Sequence, residues 1–358
     1  MRFVKLNSIC TFKQWKTLPI KELLPIGYPV YGANGIIGYS SSYNHTTPTL
    51  MICCRGATCG AINSSFGKCY INGNAMALDN LSSEFDFDYV RMFLKHFDFS
   101  KIVTGAAQPQ ITQIGLSTIQ IPKPSLEQQR HISKQLLHFE TLINVKYTEI
   151  SDLESLVKSR FIEMFGDPIL NDKNWPTSTM SDCCQMKGTK SIPHKEKYWL
   201  LNLDKIKSET GEILGKDYVV RDEVGSSTFF FDKNYVLYSK LRPYLNKVII
   251  SDESGFATSE LVPLKPSACL DSYYLAFLLR SKSFVNWIDS TSFGAKMPRA
   301  SISALRSFRV PLPPLELQNK FADFVHLIDK SRFVVQKEIK DLQELLDSKM
   351  DEYFGGEE

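Results

Sequence analysis

The sequence lacks most of the patterns that mark a catalytic or membrane protein. It has no run of about eighteen apolar residues, so no segment reads as a membrane-spanning helix. The opening stretch, MRFVKLNSICTFKQW, carries no apolar core of the signal-peptide kind, and a cytoplasmic chain is expected. Eight cysteines are present, yet none pairs as Cys-x-x-Cys and no histidines cluster at ligand spacing. Reduced core thiols are therefore expected, with no metal site. There is no Walker sequence, no Gly-rich cofactor loop after a strand, no Asn/Asp-Pro-Pro-aromatic methyltransferase motif and no Asp…Glu-x-Lys nuclease cluster. Gly32-x-x-Gly35-x-x-Gly38 departs from the dinucleotide pattern, and no helix pattern follows it. His194-x-Glu196 is half of a deaminase motif without its Pro-Cys-x-x-Cys partner. Asn44-His45-Thr46 and Asn63-Ser64-Ser65 match glycosylation acceptors, which a cytoplasmic chain leaves unused. The expectation is a chain with no catalytic residue and no cofactor of its own.

What the sequence does have is a repeat. Residues 122–166 and 311–355 align at an offset of 189 over 45 positions without a gap. Pro122/Pro311, Leu126/Leu315, Glu127/Glu316, Gln129/Gln318, Leu153/Leu342, Phe165/Phe354 and Gly166/Gly355 are among the identities. Each copy opens on Pro-x-Pro, then runs from Leu126 to Phe165, or Leu315 to Phe354, with neither Gly nor Pro. That predicts one long helix per copy, stopped by the glycine. In the first, Leu136, Ile143, Ile150, Val157 and Met164 fall seven apart, with Phe139, Tyr147, Leu153 and Phe161 between them. In the second, Val325, Arg332, Ile339, Leu346 and Tyr353 take the matching places, with Ile328, Val335 and Leu342 between. This is a coiled-coil seam, on rods of roughly 60 Å. Antiparallel pairing is expected, because parallel pairing would force the intervening residues to span a rod length. Arg332 replaces the apolar Ile143 and is expected at the seam edge, stem packed and head wet.

The formal net charge of +3 conceals a partition. Residues 1–121 hold ten basic and six acidic side chains, and residues 170–313 hold twenty and fifteen. The rods are neutral to acidic, with six basic and eleven acidic side chains in residues 314–358. Mildly basic globules suit a polyanion, and acidic rods suit protein partners.

The globules are residues 1–121 and 167–310. In the first, Asn34-Gly35 signals a hairpin; Thr49–Cys54, Gly60–Ile62 and Cys69–Ile71 are β-like; Phe87–Phe99 has helical spacing. In the second, Tyr198–Leu203 and Tyr235–Tyr238 read as strands and Tyr273–Ile288 as a helix, after a linker from Asp167-Pro168 to Pro176. The offset extends backward through Gly105-Ala106/Gly294-Ala295, Pro109/Pro298 and Leu116/Leu305, so globule and rod are duplicated together. Divergent globules on a repeated scaffold imply two different ligands. Basic and amide side chains near the turns are the candidates for DNA contact: Asn34, Arg55, Lys68, Gln108 and Gln110 in the first globule, and Lys240, Arg242, Lys247, Lys296 and Arg299 in the second. Arg and Lys suit guanine edges and phosphates, Asn and Gln suit adenine.

Several motifs together carry a family resemblance over essentially the whole chain. They are Pro122-x-Pro124-x-Leu126-Glu127-Gln128-Gln129; Lys158 to Pro168 (KSRFIEMFGDP); Tyr31-Gly32-Ala33-Asn34-Gly35; Arg55-Gly56-Ala57-Thr58-Cys59-Gly60; Leu241-Arg242-Pro243-Tyr244-Leu245; and Ala257-Thr258-Ser259-Glu260-Leu261. Two globules, each followed by a helix opening PxPxLExQ, resemble the specificity subunit of a type I restriction–modification system. Leu317 stands where the first copy has Gln128, a local departure at the helix entry.

The resemblance implies an α/β (α+β) protein. Two mixed α/β target recognition domains, 1–121 and 167–310, would stand in pseudo-two-fold tandem, separated by spacer helices 122–166 and 311–358 in an antiparallel coiled coil. Each domain would read one half of a bipartite target in double-stranded DNA, the rods acting as a ruler. Two methyltransferase (M) subunits and a restriction/translocase (R) subunit are the implied partners, and S-adenosylmethionine, ATP and Mg would sit on those partners alone. The competing readings are a coiled-coil DNA-bridging protein without a methyltransferase partner, and a methyltransferase or nuclease in its own right.

Overall fold

The two stretches free of Gly and Pro are each a 40-residue helix, Leu126–Phe165 and Leu315–Phe354. Their entries differ in a way that explains Leu317. Ser125 caps the first, its Oγ accepting the Gln128 N–H at 3.2 Å while Gln128 Oε1 accepts the Ser125 N–H at 3.1 Å. In the second, Pro314 holds the position of Ser125 and has no N–H to offer, so a glutamine at 317 would lack its partner. Gly166 closes the first helix at φ +77°, a conformation a side chain would strain, with its N–H on Ile162 O at 2.8 Å.

The structure, a computed structural model, describes residues 2–105, 108–294 and 296–355. The chain divides into two units: Met1–Tyr147 with Lys337–Glu358, and Thr148–Gln336. Each unit thus takes a share of both long helices. In unit 1, Tyr353 Oη donates to Gln135 at 2.6 Å, Gln343 Nε2 to Tyr147 Oη at 3.3 Å, and Lys146 pairs with Glu338 at 2.8 Å. Numbers rise on one helix as they fall on the other, so the pairing is antiparallel. In unit 2 the Phe161 and Phe321 rings lie 5.5 Å apart and the Arg160 guanidinium is 6.0 Å from the Phe324 ring. Leu136, Ile143, Ile339 and Leu346 are buried in unit 1, and Val157, Val325 and Val335 in unit 2; Ile150, Met164 and Tyr353 are half-buried. Arg332 is half-buried and pairs with Asp329 at 3.1 Å.

In unit 1, β1 (Phe3–Lys5) pairs with β9 (Gln120–Pro122). An antiparallel sheet runs β2-β8-β5-β6 (Thr11–Lys13, Ala75–Asp79, Leu50–Cys53, Ile62–Ser64). A second runs β4-β3-β7 (Gly35–Ser40, Tyr28–Gly32, Tyr70–Ile71), in which β3 is antiparallel to β4 and parallel to β7. The helix Phe87–His96 buries Tyr89, Val90, Met92, Phe93 and Leu94. Phe354, near the end of the second long helix, packs edge-on against Tyr89 and Phe93 at 5.3 and 5.6 Å.

Unit 2 repeats this plan. Its β10 (Thr177–Thr179) pairs with β19 (Arg309–Pro311). An antiparallel sheet runs β11-β18-β15-β16 (Cys184–Gln185, Leu261–Pro266, Val236–Ser239, Val248–Ile250). The other runs β13-β12-β17-β14 (Asp217–Val219, Tyr198–Leu201, Gly255–Thr258, Thr228–Phe231), with β12 parallel to β17. The one antiparallel, one parallel pairing of β3 recurs at β12, and β14 is an addition. The equivalent registers, Leu50↔Leu78 and Val236↔Leu264, share an offset of 186. The two units therefore have one topology.

A buried amide holds the same corner of each unit. Gln129 is fully buried; its Oε1 accepts the Asp86 N–H at 2.9 Å and its Nε2 donates to Glu84 O and Pro124 O, both at 3.1 Å. Gln318, also fully buried, accepts the Asp271 N–H at 2.8 Å and donates to Cys269 O and Pro313 O at 3.1 and 2.8 Å. Asp86 and Asp271 are the N-caps of Phe87–His96 and Ser272–Arg280. Tyr89 and Tyr274 complete the corner by donating to Pro122 O and Pro311 O. The repeated glutamine is thus a structural clamp between a long helix and a short one.

Local expectations are corrected in several places. The helix expected over 273–288 is two, Ser272–Arg280 and Lys282–Ser290, because Ser281 turns the chain and caps the second by accepting the Phe284 N–H at 3.3 Å. The helix over 87–99 ends at His96, and Phe99–Lys101 is a separate 3₁₀ turn. The β3–β4 hairpin is present, but Gly32 pairs with Gly35, so its loop is Ala33-Asn34 and Gly35 follows it at φ +108°. Ala106 and Ala295, part of the repeat match at 105–106 and 294–295, lie outside the described residues. Six cysteines are buried, but Cys59 is half-buried and Cys269 is exposed.

Candidate nucleic-acid interface

The β5–β6 and β15–β16 connections are one loop built twice. In unit 1, Cys53 N–H donates to Ala61 O at 2.8 Å, Cys59 N–H to Gly56 O at 3.0 Å and Ile111 N–H to Cys54 O at 3.0 Å. In unit 2, Ser239 N–H donates to Lys247 O at 3.0 Å, Leu245 N–H to Arg242 O at 2.9 Å and Ala300 N–H to Lys240 O at 2.8 Å. A second segment crosses each loop. Thr104 and Gln110 bridge each other and Gln110 bridges Arg55, as Phe293 and Arg299 bridge each other and Arg299 bridges Leu241. The frame needs left-handed backbone at two points. Unit 1 supplies Gly56 (φ +85°) and Gly60 (φ +95°), whereas unit 2 supplies Arg242 (φ +50°) and Asn246 (φ +51°). Asn246 offsets part of that strain, its Nδ2 donating to Glu209 Oε2 at 3.1 Å and Arg280 O at 3.0 Å.

This geometry sorts the sequence candidates. Arg55, Gln108 and Gln110 come together at the unit 1 loop, Arg55 and Gln108 exposed and Gln110 half-buried. Asn34 is exposed at the hairpin tip, with Asn63 Nδ2 donating to Ala33 O at 2.7 Å beneath it. Lys68 is not beside it. It precedes β7, whose Tyr70 pairs with Val30, and its Nζ lies 5.1 Å from the Tyr43 ring, which packs on Tyr28 at the start of β3. Asn34 lies beyond the other end of that strand, roughly 16 Å away.

In unit 2, Lys240, Arg242 and Arg299 come together at the loop, and Lys296 lies in the turn of the segment that crosses it. Arg299 is already engaged: its Nε and an Nη donate to the two Glu260 oxygens at 3.2 and 2.9 Å. That bond to Arg299, then the nearby Lys240, holds the Glu260 carboxyl below its ordinary value. Lys247 turns inward, its Nζ donating to Leu203 O at 2.7 Å. Lys296 is exposed. Arg242 Nε is buried and has no hydrogen-bond partner among the described residues.

Sequence reasoning missed one polar network. In unit 1, Asp79 accepts from Trp15 Nε1 at 3.1 Å and lies 2.9 Å from His45 Nε2; His45 Nδ1 is 2.6 Å from Asn44 Oδ1. Asn44 is fixed in turn by Ile71, and Lys13 Nζ sits 3.6 Å from the centre of the Trp15 ring. The residues are dispersed from 13 to 79, with no spacing to reveal them. The network ties β2, β7 and β8 together. Unit 2 also holds a cleft of about 1060 Å³ with an aromatic floor including Phe161, Tyr273 and Phe277. Arg280 lines it, donating twice to Val248 O, and burial brings its guanidinium down to about 10. Among the described residues no group of three His, Cys, Asp or Glu could hold a metal ion, and no helix is long and apolar enough to cross a membrane.

Two units of one topology, each with the same loop frame carrying different side chains, define a class of internally duplicated protein. The chain belongs to the family of the type I restriction modification DNA specificity domain, whose model matches residues 1–155 and 172–344. It is 26% identical over 134 residues to the EcoDI specificity subunit of Escherichia coli, covering 37% of this chain and 30% of that one. It is 23% identical over 317 residues to the MjaIX specificity subunit of Methanocaldococcus jannaschii, covering 79% and 71%. The matches to the E. coli EcoDI and EcoprrI subunits thus span under a third of those proteins. The S subunit structure from M. genitalium superposes with a TM-score of 0.58 at 16% identity, covering 100% of this chain and 96% of that one. That likeness is one of fold.

Proposed function

We propose that this chain is the DNA-reading specificity subunit of a type I restriction–modification enzyme, unit 1 and unit 2 each recognising one half of a bipartite duplex target. The observation that carries the reading is the shared loop frame, dressed as Arg55, Gly56 and Gln110 in one unit and as Leu241, Arg242 and Arg299 in the other. One hydrogen-bonded loop frame bearing different side chains is what two readers of different base sequences require. Double-stranded DNA, two methyltransferase subunits and a restriction/translocase subunit are the proposed partners. S-adenosylmethionine, ATP and Mg chemistry would belong to those partners, and this chain would contribute recognition without catalysis.

The test is an exchange. Residues 1–121 are replaced by the first globule of another specificity subunit, and modified sites in the host genome are mapped by methylome sequencing. The expected result is a change in one half-site with the other preserved. A change in both halves, or unaltered methylation, would overturn the proposal.

A further inference from the structure

We propose that Arg242 is a phosphate anchor, the side chain by which unit 2 grips the DNA backbone irrespective of base sequence; this rests on the reading of the chain as a duplex binder. Four observations converge on it. Arg242 occupies left-handed backbone at φ +50°, where the same loop in unit 1 uses Gly56. Glycine adopts that conformation freely and arginine does not, so the loop frame gives no reason for an arginine there. The backbone is nevertheless fixed: the Arg242 N–H donates to Pro298 O at 2.7 Å, its carbonyl accepts from Leu245, and Pro243 is buried. The guanidinium is therefore presented from a rigid base.

The third observation is the buried Nε without a partner. A charged donor is costly to leave unpaired, and the fork of a guanidinium matches the oxygens of a phosphate. The fourth is the surrounding charge. Lys240 and Arg299 lie at the same loop, and the Glu260 carboxylate is already paired with Arg299, with Lys240 nearby. Among the described residues no carboxylate is paired with Arg242, so a bound phosphate would meet no competing partner there. With Nε buried, and with Lys240 and Arg299 on the same loop, the local positive charge suits a phosphate more than a base edge. Tyr244 within this loop, and Phe293 and Met297 on the segment that crosses it, are exposed.

The experiment uses the complex of this chain with its methyltransferase partners and two duplexes, one carrying the target recovered from modified host DNA and one with both half-sites scrambled. Arg242→Gly restores the unit 1 solution at this position, and Arg242→Asn keeps a residue tolerant of left-handed backbone while removing the charge. Both variants should unfold at or above the wild-type temperature. Both should bind each duplex about tenfold more weakly at about 0.1 M salt, with the slope of log affinity against log salt shallower by about 0.9. Unchanged affinity and slope would overturn the assignment. So would a loss confined to the target duplex, which marks a base reader, or lowered unfolding temperatures in both variants, which mark a structural residue. Wild-type complex that does not prefer its target would instead defeat the underlying reading of the chain.

Discussion

Replacing Gln318 by alanine removes a side chain that stitches three backbone groups, and its cost can be worked from the structure. The amide is fully buried and makes bonds of 2.8, 3.1 and 2.8 Å to Asp271 N, Cys269 O and Pro313 O. Its loss strands one N–H and two carbonyls, each worth about 1–3 kcal/mol when buried without a partner. A water entering the vacated space would recover part of that, since the site is polar. The expected net loss is about 3 kcal/mol, a fall of ~6–12 °C in the unfolding temperature for a unit of this size. Because Asp271 caps Ser272–Arg280, hydrogen exchange at the Asp271 amide should accelerate, while the Asp86 amide, held by the untouched Gln129, should keep its protection. Gln336→Ala removes an exposed amide and should change stability by less than about 0.5 kcal/mol. Thermal unfolding followed by circular dichroism gives the first quantity and exchange mass spectrometry the second. If Gln318→Ala unfolded within about 0.5 kcal/mol of the wild type, the clamp argument would be wrong.

Two further outcomes follow from charge and exposure. The Glu260 carboxyl has a folded pKa below its ordinary value of 4.5, so its contribution to stability is present in full above that pH and is lost as pH falls through the folded value. Wild type should therefore lose its stability advantage over Glu260→Gln on acidification below pH 4.5, as read from unfolding midpoints against pH; parallel curves would refute the pairing's role. Among the thiols, burial and then the Asp79 charge push Cys10 up to about 12, and burial also raises Cys54, Cys69, Cys183 and Cys184, whereas Cys269 is exposed. A maleimide at neutral pH should label Cys269 first and the six buried cysteines only on unfolding, a result mass mapping would contradict if Cys10 reacted in the native protein.

The long helices were legible because their signal is redundant: 40 residues without Gly or Pro, a seven-residue period and a Pro-x-Pro entry all agree. The identity of Gln129 and Gln318 was visible too, but its cause was not. Each glutamine clamps an N-cap more than forty residues earlier, a pairing that no local pattern encodes. The few strands read from the sequence lie within a residue or two of those observed, while others such as Thr228–Phe231 and Leu261–Pro266 went unread, since segments as short as Tyr70–Ile71 and Tyr198–Leu201 are too brief to show alternation. The break at Ser281 was hidden because apolar spacing runs through it, while the cap that makes it is a single local hydrogen bond.

The candidate interface was the least legible part, for a reason that bears on how it works. The loops Cys54–Gly60 and Lys240–Asn246 have the same hydrogen-bonding frame, yet one meets its two left-handed positions with glycine and the other with arginine and asparagine. Their offset is 186, not the 189 of the rods, so an ungapped comparison passes them by. A frame that tolerates Gly or Arg at one position does not dictate the side chain there, and a side chain the fold does not dictate is free to vary with the ligand. Cys54 and Lys240, Arg55 and Leu241, and Gly56 and Arg242 are three such pairs. The clamp residues behave in the opposite way: every hydrogen bond of Gln129 has its counterpart at Gln318, so the side chain is specified by the backbone it serves. Within one chain, then, the places where the duplicated fold keeps its residues mark what holds each unit together, and the places where it keeps only its backbone mark where, on the proposed function, the two units would read different things.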